Sequence, residues 1–322
     1  MRVLITGGAG FIGSNFVKKI LSSNPNKFGN IIVLDNLSYA GNLRNFSEEE
    51  LAQFEFIEGD ISDKSLIDKL LPRIDVIINF AAESHVDRSI HDANPFFRSN
   101  VLGVFNLLEG SHRHGIELFI QVSTDEVYGS IKEGFADEFC LLNPSSPYSS
   151  SKAAAELLTF GYVGTHQLPV IITRSSNNYG PNQFLEKLIP LTITNILRNE
   201  DVPIYGEGNQ IRDWIHVEDN CNAILKIIDN GKIGNIYNIS GRNEVRNIDL
   251  VKLILSEMNV PHSRIKHVAD RKGHDFRYAI NSNKLEKETG FAPIKALEEG
   301  IRETVKWYVD NPNWWSRNEK RG

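Results

Sequence analysis

Cysteine is almost missing from this chain: Cys140 and Cys221 are the only two among 322 residues. One bridge at most can form, which excludes a disulfide scaffold, and two reduced thiols in a cytosolic protein are the expected state. No apolar run approaches the roughly 20 residues that a membrane-spanning helix needs. Positive charge is in deficit, with 35 Lys and Arg against 41 Asp and Glu and a net charge of -6. That balance argues against a general binder of nucleic acid or anionic membranes, so a few placed cations and backbone N–H groups must hold any anionic ligand. Low-complexity stretches and solenoid repeats are absent as well. Met1-Arg2-Val3-Leu4-Ile5-Thr6 reads as a strand at once, which leaves no room for a signal peptide and makes a cytoplasmic protein the expectation.

What the chain has is globular: 41% hydrophobic and 24% charged residues, at a length that suits one large domain or two modest ones. Val3–Thr6, Ile31–Asp35, Phe54–Glu58, Val76–Phe80, Leu118–Ser123 and Val170–Arg174 are short, rich in β-branched residues and without strict alternation, as buried parallel strands are. Helical candidates lie between them at Phe11–Leu21, Lys64–Leu71, Phe96–His114 and Tyr148–His166. Strand–helix alternation requires crossovers, hence an α/β, doubly wound parallel sheet that binds ligands at the carboxyl ends of its strands. After Arg174 the rhythm breaks. Asn177–Pro181 reads as loop, Leu185–Leu197 as a helix containing Pro190, and Asn235–Ile239 as a strand able to return to the sheet. Helices at Ile248–Met258 and Leu297–Asp310 complete a smaller, interleaved carboxyl-terminal lobe. The division expected is residues 1–176 with about 207–240 for the sheet domain, and about 177–206 with 241–322 for the lobe.

Gly7, Gly10 and Gly13 follow the first strand, and Phe11 and Ile12 open the first helix. Glycines there let a turn close, a backbone approach a pyrophosphate and a helix pack on a strand, while the helix N-terminus offers free N–H groups. Asp35 ends the second strand, where a carboxylate binds an adenosine ribose and repels a 2′-phosphate, favouring NAD over NADP. Asp60 and Ile61, ending the third strand, are placed to meet the adenine. Phe80, Ala81, Ala82, Glu83 and Ser84 supply small residues after the fourth strand, where the cofactor comes close.

Tyr148 and Lys152 are four apart at the start of a helix and so share a face. An ammonium there, with the nicotinamide's charge, is expected to lower the phenol's pKa and make Tyr148 a base toward a sugar hydroxyl. Thr124-Asp125-Glu126-Val127-Tyr128-Gly129 puts two carboxyls at the carboxyl end of the fifth strand, where this fold places chemistry. His216 has no second ligand at suitable spacing and reads as structural, with no metal expected. Trp314-Trp315 reads as packing, and the final six residues, 317–322, as a frayed tail.

These motifs in this order resemble the extended short-chain dehydrogenase/reductase superfamily, whose dinucleotide fold is Rossmann-type. Within it, Thr124-Asp125-Glu126 resembles the signature of the nucleotide-sugar 4,6-dehydratases, those acting on dTDP-glucose above all. Further likenesses are Leu37–Asn42, Ser176–Pro181, Glu186–Pro190, Gln210–Trp214 and Gly273–Tyr278, so the similarity covers nearly the whole chain. Leu185 and Lys272 depart from it, each standing where proline is expected. The resemblance implies Glu126 as the base at C5, Asp125 as the acid at C6, and Thr124 on the sugar near O4. It implies further cofactor contacts at Asn36, Leu37, Ser38, Ser99 and Asn178. For the dTDP-sugar it implies Ser84, Asn177, Lys187, Leu188, Pro203, Ile204, Tyr205, Arg212, Asn247, Asp270, Arg271 and His274. A pyrophosphate suits Arg212 in particular, whose planar fork matches phosphate oxygens.

An NAD-dependent 4-epimerase, or a lyase acting on another nucleotide sugar, would share the glycines, Tyr148 and Lys152. Epimerases resemble Ser-Ser-x-x-Val-Tyr-Gly where this chain has Ser123-Thr124-Asp125-Glu126-Val127-Tyr128-Gly129, and have no use for the carboxyl pair. A non-catalytic dinucleotide sensor would keep the glycines and need neither Tyr148 nor Lys152. The resemblance also implies a deoxysugar destined for a surface polysaccharide, and a homodimer formed through Phe96–His114 and Tyr148–His166.

Overall fold

The computed structural model of the chain describes residues 1–23 and 27–318. Strands β1 (Arg2–Thr6), β2 (Asn30–Asp35), β3 (Glu55–Glu58), β4 (Val76–Asn79), β5 (Leu118–Thr124) and β6 (Val170–Ser175) alternate with helices through the first half. Six more follow: β7 (Asn177–Tyr179), β8 (Val202–Tyr205), β9 (Ile211–His216), β10 (Ile236–Ile239), β11 (Glu244–Arg246) and β12 (Ile265–Val268). Seven form one parallel sheet in the order β10-β6-β5-β4-β1-β2-β3. Its strands are apolar without alternation because helices cover both faces. Phe16, Val17 and Ile20 of the helix Phe11–Ser23 share one core with Ile224 and Ile227 of the helix Val217–Asn230. Leu107 and Leu108 of Val104–His114 and Ala155 of Pro147–His166 close the other face.

Strand order reverses between β1 and β4, so the helices Phe11–Ser23 and Val104–His114 that follow them cover opposite faces of the sheet and a crevice opens at the carboxyl ends of the two strands. β5 and β6 pair as far as Thr124 and Ser175, which carries the Thr124-Asp125-Glu126 segment to the rim of that crevice. The sheet and the doubly wound order are those expected from sequence, β10 included.

Three segments differ. Asn177–Pro181, expected as loop, contains β7, because Asn177–Tyr179 pairs in parallel with Trp214–His216 of β9. The helix expected at Leu185–Leu197 starts at Leu188. Pro190 then falls in its first turn, where a missing N–H costs nothing. Leu185, one of the two departures from the family pattern, is buried in the lobe's core, whereas Lys272 is exposed. The span Phe96–His114 is interrupted by a π-helical turn, Phe97–Gly103, before the α-helix Val104–His114. That turn points Asn100 at Glu83, whose N–H it accepts at 2.9 Å and whose carbonyl it donates to at 3.0 Å. A second amide hydrogen bond, at 2.9 Å, reaches Ser151.

The lobe packs around Tyr179, Leu185, Ile189, Trp214, Leu250, Leu297, Ile301, Trp314 and Trp315. The two tryptophans are packing residues, with Trp315 Nε1 donating to the Tyr308 carbonyl at 2.9 Å. The helix Asn283–Thr289, in the stretch that sequence assigns to the lobe, sends Leu285 into a core on the sheet instead. His216 caps the helix Val217–Asn230, its Nδ1 accepting the Glu218 N–H at 3.3 Å. Residues 319–322 of the expected frayed tail lie outside the described residues.

Candidate active site

The crevice begins at Gly7, whose φ of 64° lies in the left-handed region. A Cβ there would stand 2.5 Å from the Ala81 nitrogen, and one on Gly13 would stand 2.3 Å from the Gly7 carbonyl oxygen. Only glycine lets the turn after β1 lie against the turn after β4 while the helix Phe11–Ser23 starts beneath it. Asp35 holds this cradle: its carboxylate accepts the Ala9 N–H at 3.0 Å and the Leu37 N–H at 2.9 Å. Burial pushes its pKa up and these backbone donors pull it back. Gly7, Gly10, Phe11, Ile12, Gly13, Asp35, Asn36, Ser38, Asp60, Ile61, Phe80–Glu83, Ser99, Tyr148 and Lys152 all line the cleft. A glycine cradle with a carboxylate at the end of β2 fits NAD.

A second cavity adjoins the first, and Gln183, Glu186 and Lys187 belong to both walls. Asn177, Lys187, Leu188, Pro203, Ile204, Tyr205, Arg212, Asn247, Arg271 and His274 line it. Buried polar atoms along it have no protein hydrogen-bond partner: the side-chain oxygens of Asn177, Asn178, Gln183 and Asn247, and the Arg271 Nε. A wall with that many unmet donors and acceptors suits a polar, hydrogen-bonding ligand. Arg212 is less free than a phosphate fork: its Nη1 and Nη2 donate to the carbonyls of Ile211 at 2.7 Å and Asp275 at 2.8 Å, and it stacks on Tyr278.

Of the reactive groups, Tyr148 and Lys152 line the first cavity and Glu126 the second. Ser146 caps the helix Pro147–His166 in a capping box with Ser149, so Tyr148 sits in its first turn, with Lys152 one turn later. Lys152 Nζ donates to the Val122 carbonyl at 2.7 Å. Burial lowers its pKa to about 8, and Glu156, one turn on, offsets part of that. The sequence expectation for Tyr148 is reversed in the free protein. Burial pushes its phenol well up and Glu126 and Asp125 add to this, while a hydrogen bond with Thr124 offsets only part. Thr124 also accepts the Glu126 N–H at 3.2 Å and lies 3.2 Å from Asp125 Oδ1.

The two carboxyls differ in surroundings. Burial pushes the Asp125 carboxyl well above the ordinary carboxylate range, Glu126 and Asp213 add to this, and its Oδ2 has no hydrogen-bond partner among the described residues. Burial raises Glu126 as well, but Arg271, Lys187 and Arg212 counter it. Asp125 is therefore the carboxyl that keeps its proton and Glu126 the one that ionises more readily.

Several expected contacts fall elsewhere. Leu37, at φ 48°, supplies an N–H to Asp35 and does not line the cleft. Asn178 lines the second cavity, while Ser84 lines the first and offers its carbonyl to Lys187 at 2.8 Å. Asp270 lines neither, because it accepts from His274 at 2.6 Å and from Gln210 at 3.0 Å. Thr124 and Asp125 are buried and line neither cavity. Sequence reasoning passed over Glu186 and Tyr278. Glu186 joins Tyr39 at 2.9 Å and Arg88 at 3.1 Å; Tyr278 reaches Asp275 at 2.8 Å and Glu126 at 3.5 Å. Both lie inside motifs that were recognised, and a polar residue recurring in such a motif was the signal available.

Comparison with known proteins agrees with this geometry. The family model of GDP-mannose 4,6 dehydratase matches residues 4–304. A dTDP-glucose 4,6-dehydratase of Streptomyces niveus is 46% identical over 98% of this chain and 95% of its own. The solved structure of DesIV, a dTDP-glucose 4,6-dehydratase from Streptomyces venezuelae with NAD bound, superposes with a TM-score of 0.96 at 44% identity, covering 99% of this chain and 100% of that one. A UDP-glucose 4-epimerase from Thermotoga maritima shares the fold at a TM-score of 0.90 but only 28% identity, over 97% of this chain and 100% of its own.

Proposed function

This chain belongs to the dTDP-glucose 4,6-dehydratase family, and on that premise we propose that it converts dTDP-glucose to dTDP-4-dehydro-6-deoxyglucose and water. The observation that carries the reading is the adjacent carboxyls of Asp125 and Glu126, in unequal surroundings beside Tyr148, with Tyr148 on the dinucleotide cleft and Glu126 on the polar cavity that shares its wall. Bound in the cleft, NAD supplies a positive charge, the hydride acceptor for oxidation at C4 and the donor that later reduces C6. Tyr148, hydrogen-bonded to Thr124, takes the proton of the sugar 4-hydroxyl. The Lys152 ammonium stabilises the phenolate form in which Tyr148 accepts that proton. Once C4 is a ketone its neighbour C5 is acidic, and Glu126 removes that proton. Asp125, protonated through burial and repulsion, donates to the departing C6 hydroxyl, and a proton returns to C5 as C6 is reduced. A 4-epimerase needs no such pair, and a sensor needs neither Tyr148 nor Lys152.

The same proposal divides the chain into a cofactor-binding domain, residues 1–176 with about 207–240, and a substrate lobe, about 177–206 with 241–322. It includes a cytoplasmic location, consistent with two free thiols, and a deoxysugar for a surface polysaccharide. It also includes a homodimer: Phe97, Leu102 and Phe105 on one span and Leu157 and Phe160 on the other are exposed on the two helical segments expected to pair. Light scattering reads this directly, and a mass of one chain would oppose it. The test of substrate is turnover by purified protein of dTDP-glucose against UDP- and GDP-hexoses. Strong preference for dTDP-glucose is expected, and equal or better use of the UDP sugar would overturn the assignment.

A further inference from the structure

The glycine turn of the cofactor cleft is held from behind by a residue near the far end of the chain. Ala9 lies between Gly8 and Gly10, and its carbonyl accepts two hydrogen bonds, from the Asn42 N–H at 2.9 Å and from Asn45 Nδ2 at 2.9 Å. Its own N–H goes to Asp35 at 3.0 Å. Flanking glycines give this turn little conformational preference of its own, so the direction of its amides depends on such outside anchors. Asn45 is an anchor only in one orientation. With its amide turned over, its oxygen would face the Ala9 carbonyl, acceptor against acceptor.

What sets that orientation is Trp314. Its indole N–H, a donor and never an acceptor, meets Asn45 Oδ1 at 2.8 Å and so leaves Nδ2 for Ala9. Asn182 Nδ2 adds a longer bond to the same oxygen, 3.3 Å, and is itself oriented by Lys18 Nζ, 3.1 Å from its Oδ1. Asn45, Asn182 and Trp314 are all buried, so water does not readily replace a lost donor. Trp314 also sits in the apolar core of the lobe, packed among Trp307, Tyr308 and Leu297.

We propose that Trp314 and Asn45 are positioning residues for the dinucleotide: through them the helix Pro312–Asn318 orients the Gly8–Gly10 turn and sets how tightly NAD is held. That helix, which does not itself line the cleft, thereby reaches the back of the cofactor site. The inference rests on NAD occupying the glycine cleft, and titration of the unaltered protein checks that premise separately.

Trp314→Phe removes the N–H and keeps an aromatic ring, while Asn45→Asp keeps the acceptor for Trp314 and sets an acceptor against Ala9. NAD and dTDP are titrated by calorimetry into cofactor-free protein, with thermal unfolding recorded for each variant. Trp314→Phe is expected to raise the NAD dissociation constant about tenfold, the factor for one net hydrogen bond, and to leave dTDP binding within about twofold. Asn45→Asp is expected to do at least as much, and adding Trp314→Phe to it to do little more, because both act through one relay. An NAD affinity for Trp314→Phe within about twofold of the unaltered protein would overturn the proposal, as would dTDP binding that weakens in step with it. If Asn45→Asp fails to fold, Trp314→Phe decides the matter alone. No NAD binding by the unaltered protein would instead sink the assigned function.

Discussion

A single residue, Glu126, separates two halves of the proposed chemistry. Glu126→Gln keeps the shape and removes the base, so oxidation at C4 should proceed while loss of water stalls. Mixing this variant with dTDP-glucose should build up reduced-cofactor absorbance, with turnover down by about 10²- to 10⁴-fold. Near-normal turnover would contradict the assigned base. Lys152 supplies a pH dependence. Burial lowers its pKa from 10.5 to about 8, so it is an ammonium below that value and neutral above it. A role that needs the charge predicts kcat/KM falling as pH rises through about 8, and a profile flat to pH 10 would show that the charge is not needed. Tyr148, Lys152 and the carboxyl pair were legible from sequence because spacing and strand ends announce them. The opposite direction of the Tyr148 shift was not, since it follows from how deeply helix and strand bury the phenol.

Among elements, the π turn Phe97–Gly103 shows what periodicity misses. One turn of altered pitch leaves the apolar pattern of a long helix nearly intact, yet it aims Asn100 at both backbone groups of Glu83, in the loop that walls the cofactor cleft. Asn100→Ala leaves those groups unmet in a half-buried setting. A loss of about 1 to 3 kcal/mol in unfolding free energy is expected, with weaker NAD binding, measured by denaturant titration and calorimetry. Unchanged values for both would show that the turn has no such duty. β7 was misread as loop for a related reason: Asn177-Asn178-Tyr179 is a poor strand by composition and becomes one only because β9 lies beside it. The main sheet was legible because doubly covered strands carry their own signature.

Across the whole molecule, sequence order predicted the sheet and the crevice, since crossover rules leave few ways to arrange alternating strands and helices. It did not show that Asn45, Asn182 and Trp314 converge behind the glycine turn, because nothing local marks contacts between residues so distant in the chain. Nor did it show that two cavities share a wall at Gln183, Glu186 and Lys187. The central claim is that the chain moves a hydrogen from C4 to C6 of one sugar while expelling water. Incubation of the purified protein with dTDP-glucose deuterated at C4, followed by mass and magnetic-resonance analysis of the product, tests it directly. The account predicts a dTDP-sugar lighter by one water that keeps its deuterium, now at C6. A product of unchanged mass, or a dehydrated one without the label at C6, would contradict it.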